Sequence, residues 1–97
     1  MAKGYWIVGL TITDPEQYAE YSGRVRPFLA ERGARFLTRG GQYEGVEGDV
    51  PSRQVVIEFP TYEQAVAAYH SDAYQTTIGL RAAASHGTFA IVEGLDQ

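Results

Sequence analysis

The sequence contains no cysteine, which excludes disulfides, thiolate nucleophiles and cysteine-ligated zinc. Histidine is nearly absent too. Only His70 and His86 occur, too far apart in the chain to suggest a dedicated metal site, and no cofactor motif is present. The Gly-Gly after Arg39 lacks the G-x-x-x-x-G-K pattern of a phosphate loop. The acidic "EGVEGD" lacks the spacing of a calcium-binding EF-hand loop. Basic residues are outnumbered, 8 against 12 acidic ones for a net charge of −4, which disfavours nonspecific binding to nucleic acid or to an anionic membrane. The uncharged stretch at the start, residues 4–13, is too short to span a bilayer and has no A-x-A-like cleavage site. The expectation is a soluble, cytoplasmic protein.

What is there is an ordinary globular composition: 97 residues, 44% hydrophobic and 21% charged. That suits one domain over 1–97, whose small size favours association. "GYWIVGLTIT" is β-branched and aromatic, as strands are. "DPEQ" follows, with Asp14 suited to an N-cap and Pro15 to the first helical position. Tyr18, Tyr21, Val25 and Leu29 then recur at helical spacing, so helix one is predicted to reach about Arg32, with Gly33 just beyond. Pro27 predicts a kink near Gly23. "ARFLTR" is strand two, and Gly40-Gly41 permits a bulge or bend. A turn around 48–51 leads into "RQVVIEF", strand three. Thr61 caps helix two through "YEQAVAAYH", and Ser71 and Asp72 restart a second piece, "SDAYQTTIGLRAAAS". His86 lies in the turn before the last strand, "GTFAIVEG".

The order strand, helix, strand, strand, helix, strand carries a partial repeat. Asp14 and Thr61 are caps 47 positions apart, and at that offset Val8, Leu10 and Ile12 align with Val55, Ile57 and Phe59. Two such halves predict an α+β, ferredoxin-like βαββαβ sandwich, an antiparallel sheet with helices on one face. Alternation places the apolar triplets and Trp6 under the helices. Tyr5, Ile7, Gly9, Thr11, Val56 and Glu58 then share the other, half-apolar face, which no helix covers. A second copy packed sheet against sheet would cover it.

Glu58 stands out as a carboxylate in the apolar "VVIEFP", because a charge removed from water needs a partner. A hairpin centred near Gly48-Asp49 sets position 58 opposite 39, so Arg39 is its predicted cross-strand partner.

The segments "KGYWIV", "DPEQYAEY", "ARFLTRGG", "VVIEFPTYEQAVAAYHSDAYQ", "LRAAAS" and "IVEG" together resemble the domain of unknown function 1330 family, small bacterial proteins of the dimeric α+β barrel superfamily. The resemblance spans nearly the whole chain. One departure is "HSDAY", where relatives tend to have proline in place of the aspartate. The resemblance implies a ferredoxin-like monomer and a homodimer whose sheets enclose a barrel-like space. Monooxygenases, isomerases, haem-dependent dismutases and stress proteins share the superfamily, so the fold does not choose an activity.

Candidate site residues are Tyr5, Arg39, Glu58, His70, Tyr74 and Arg81. Glu58 and His70 are the candidate proton-transfer groups. Tyr5, Thr11 and Glu58 would project into the inter-sheet space, with His70 and Tyr74 at its mouth. Arg81, seven residues after Tyr74, would share its face and offer a carboxylate or phosphate anchor. Against these stand plain structural roles: a helix-end cap for His70, a surface salt bridge for Arg81, core packing for the tyrosines. Three functions remain open. The first is a homodimer binding a small, mostly apolar molecule between the sheet and the helices. The second is a cofactor-independent monooxygenase or isomerase, favoured if a carboxylate has a raised pKa and no arginine partner. The third is a structural or interaction module.

Overall fold

A computed structural model of the chain describes residues 2–96. The elements run β1 (Gly4–Ile12), α1 (Pro15–Glu31), β2 (Arg35–Arg39), β3 (Arg53–Phe59), α2 (Tyr62–His70), α3 (Asp72–Gln75), α4 (Ile78–Ala84) and β4 (Ser85–Glu93). The four strands form one antiparallel sheet in the order β2-β3-β1-β4. This is the ferredoxin-like α+β sandwich that the strand and helix order predicts.

The caps form where the sequence places them. Asp14 accepts from the Gln17 amide at 3.1 Å, Thr61 from the Gln64 amide at 3.1 Å, and Ser71 from the Tyr74 amide at 3.3 Å. Each satisfies an amide that a helix start leaves without a partner. Helix α1 is continuous through Gly23 and Pro27. Gly23 is exposed, so its carbonyl, denied the N–H that proline lacks, can turn to water. Gly33 takes φ 72° just past the helix, the left-handed turn that glycine adopts without a Cβ clash.

Two segments differ from expectation. The piece after Ser71 is divided into α3 and α4 at Thr76 and Thr77. Their hydroxyls donate to the Ala73 and Tyr74 carbonyls at 3.1 and 2.6 Å, and such local bonds compete with helix continuation. Strand β4 begins at Ser85, so His86 is a strand residue opposite Thr11 and not a turn residue.

The core lies between the sheet and the helices. Trp6, Val8, Leu10, Val55, Ile57 and Phe59 are all buried on that side. Trp6 is its hub: its ring lies 4.9 Å from Phe59, 4.9 Å from Tyr74 and 5.1 Å from Phe89, and its Nε1 donates to the Ala65 carbonyl at 2.9 Å. On the opposite sheet face Ile7 is 40% and Val92 45% exposed. The molecule is 17 Å thick in its shortest dimension, room for one sheet and one layer of helices. One sheet face is therefore bare.

Candidate functional site

The predicted site residues fall into separate places. Glu58 and Tyr5 lie on the bare face, opposite each other in the β1–β3 register. Glu58 Oε1 accepts from Arg35 Nε at 2.9 Å and from Lys3 Nζ at 3.2 Å, while Oε2 accepts from the Tyr5 hydroxyl at 3.3 Å. Desolvation pushes its pKa up, but the hydrogen bonds and charges of Lys3 and Arg35 outweigh that and hold it below the ordinary value. A carboxylate so held is a poor proton acceptor near neutral pH.

Arg39 is not the partner of Glu58. Arg35 stands opposite Glu58, and Arg39 stands opposite Val55. The register differs by four positions from the hairpin centred at Gly48-Asp49. Residues 40–52 form an irregular loop, and a bulge falls between Phe36 and Thr38, not at Gly40-Gly41. The shift also changes the face: Arg39 joins Val55 on the helix side.

Tyr74 does not reach the bare face. It is fully buried beneath the helices, with its hydroxyl 2.6 Å from that of Tyr21. Burial raises both phenol pKa values, that of Tyr21 far above its usual value. The charge of Arg81 acts on both phenols in the opposite direction, and its guanidinium lies 4.9 Å over the Phe89 ring. Its Nε is buried without a hydrogen-bond partner. Tyr74 on α3 and Arg81 on α4 are separated by the break at Thr76 and Thr77, so the seven-residue spacing does not set them on one helix face, although the charge of Arg81 still acts on the Tyr74 phenol. His70 ends α2, exposed, its ring edge-on to Tyr69 at 5.2 Å. Glu58 and His70, on different layers, make no contact with each other.

A cleft opens on the helix side of the sheet, between α1 and strands β1, β2 and β3. Trp6, Leu10 and Ile57 form its floor, Tyr18, Tyr21 and Val25 one wall, and Phe36, Arg39 and Arg53 its other side. Its enclosed space is about 30 Å³, little more than a water molecule needs. An open groove of about 410 Å³ adjoins it, lined by Ile12, Pro15 and Ala19 and sharing Tyr18, Ser22 and Arg53 with the cleft. Tyr18 and Arg53 are thus the partition, joined by a 3.2 Å bond from Arg53 Nε to the Tyr18 hydroxyl. No carboxylate or imidazole lines either space. Among the described residues, no three of His, Asp and Glu cluster as a metal site, and no helix is long and apolar enough to cross a membrane.

Arg53 and Tyr18 had a signal in the sequence. Arg53 shares the parity of Val55, Ile57 and Phe59, and Tyr18 shares the helical stripe of Tyr21 and Val25. Arg35 could not be found without the register.

A family model described as "Domain of unknown function (DUF1330)" matches residues 3–95. Among curated proteins, none matches the chain. Among solved structures, RPA0582, a protein of unknown function from Rhodopseudomonas palustris, superposes with a TM-score of 0.72 at 16% identity, covering 99% of this chain and 85% of that one. Its methylated form gives 0.70 at 18% identity, with 98% and 82% covered. SnoaB, a cofactor-independent oxygenase from Streptomyces nogalater, gives 0.66 at 12% identity, with 100% and 97% covered. At these identities the likeness is one of fold.

Proposed function

The chain belongs to the DUF1330 family, whose description assigns no activity, and from its geometry we propose that it is a homodimer that binds a small, mostly apolar molecule between the sheet and α1. The observation that carries the binding reading is the aromatic and aliphatic cleft beside a groove of about 410 Å³, a volume within the range of small-molecule sites. Tyr18 alone among the rings belongs to both spaces. With Ser22 and Arg53 it lines both, so a ligand lying along the two spaces would rest against its ring.

Binding is favoured over proton-transfer catalysis. The cleft's titratable groups are arginines and tyrosines, and a phenol whose pKa burial has raised donates hydrogen bonds rather than accepting protons. The oxygenase activity stated for SnoaB comes with a likeness of fold at 12% identity, and among the described residues no carboxylate or imidazole lines this chain's cleft. The dimer reading rests on the bare sheet face, where Ile7 and Val92 are exposed beside Tyr5 of the Glu58 cluster.

Titration with indole, a neutral apolar probe, followed by amide NMR shifts, tests the binding reading. Shifts should concentrate at Ser22, Val25 and Phe36, and Ser22→Phe, which fills the space between cleft and groove, should abolish them. Shifts confined to the outer surface of α2, around Gln64 and Ala67, would reject the cleft.

A further inference from the structure

The cleft carries two arginines that the fold itself does not neutralise. Arg24 pairs with Glu20 at 3.0 Å and Arg35 with Glu58 at 2.9 Å. Among the described residues, neither Arg39 nor Arg53 has a carboxylate within ion-pair distance, although the chain has 12 acidic residues for 8 basic ones.

Both guanidiniums are nevertheless held in place. Arg39 lies over the Phe36 ring at 4.9 Å and Arg53 over the Tyr18 ring at 5.0 Å. Stacking on a ring face fixes a guanidinium without using its N–H groups. Arg53 spends its Nε on the Tyr18 hydroxyl, so its two terminal nitrogens remain as a fork. Gly40 makes room for that fork: at φ 66° it has no Cβ, and one built there would stand 2.5 Å from Arg53 Nη1.

The register brings the two together. Arg39 is opposite Val55, and Arg53 is two residues along β3 on the same face, so the pair are diagonal neighbours. Two like charges lining one cleft repel each other. An anion between them would turn the repulsion into two charge-assisted contacts.

From this geometry we infer that the cleft's ligand is an organic carboxylate on an apolar or aromatic body, its head bridged by Arg39 and Arg53 and its body against Phe36 and Tyr18. The inference rests on the cleft as the binding site and adds the ligand's chemical class.

The test compares benzoate, the isosteric neutral benzamide, and acetate, which has the head without the body, by amide NMR titration of the full chain at constant ionic strength. Benzoate should bind about tenfold more tightly than either of the others. Arg39→Gln and Arg53→Gln should each bring the benzoate affinity down to that of benzamide measured on the same variant. Arg39, the more exposed of the two, gives the variant whose folding is least at risk. Equal binding of benzoate and benzamide in the cleft overturns the anion inference and leaves the cleft standing. Acetate equal to benzoate reduces the pair to a surface charge and overturns the inference. Neither aromatic probe shifting cleft residues overturns both.

Discussion

Glu58 is held by cations from two directions, Lys3 before β1 and Arg35 on β2, with the Tyr5 hydroxyl on its second oxygen. Because its folded pKa is lowered, the ionised form favours the fold. That contribution is present above the unfolded value, near about pH 4, and is lost as pH falls through the folded value. The stability difference between wild type and Glu58→Gln, read from urea midpoints, should therefore be largest near neutral pH and shrink on acidification. A difference that does not change with pH would contradict the depressed pKa. A double-mutant cycle identifies the partner: Arg35→Met with Glu58→Leu should be non-additive, whereas Arg39→Met with Glu58→Leu should be additive. That Glu58 needs a cation was legible in its apolar context. Which cation was not, because the bulge after Phe36 and the long loop before Arg53 move the register away from the one that the turn at 48–51 suggests.

At the scale of elements, faces were legible and breaks were not. Alternation and helical spacing identified the buried sides of β1, β3 and α1, because burial imposes a period on each. The division of α3 from α4 depends on two threonine hydroxyls finding carbonyls, which periodicity does not register. The contact that ties α1 to α3, Tyr21 to Tyr74, was likewise hidden, since both tyrosines read as ordinary core aromatics. Tyr21→Phe leaves the Tyr74 hydroxyl buried without its partner and should cost about 1–3 kcal/mol, while Tyr21→Phe with Tyr74→Phe should recover much of that. The same pair sets an alkaline limit. Their folded pKa values are raised, so the neutral phenols stabilise the fold below the unfolded value near about pH 10, and that stability is lost as pH climbs beyond it. In an ultraviolet titration, two of the seven tyrosines should ionise only as the far-ultraviolet dichroism collapses. Smooth ionisation of all seven with the fold intact would contradict the buried pair.

At the scale of the whole molecule, the proposed interface and the proposed binding cleft fall on opposite faces of one sheet. Its helix-side face floors the cleft through Trp6, Leu10 and Ile57, and its bare face presents Ile7, Val92 and the Glu58 cluster. The sequence set Tyr5, Thr11, Glu58 and a ligand in one inter-sheet space, whereas the cleft opens on the helix side; strand parity alone does not say which side holds a cavity. Because the two proposed sites lie on opposite faces, association and binding should be separable by mutation. Light scattering after size exclusion at micromolar concentration should give twice the 10.7 kDa chain mass. Ile7→Asp should yield the monomer, since a carboxylate at the centre of an apolar sheet-to-sheet contact would lose its water with no cation opposite it. The monomer should keep its fold, because Ile7 is 40% exposed in the single chain. It should also bind benzoate within about twofold of the wild-type affinity. A monomeric wild type would reject the sheet-to-sheet dimer. A dimer disrupted together with benzoate binding would place the ligand between the sheets, as first expected from Glu58, and remove the cleft from consideration.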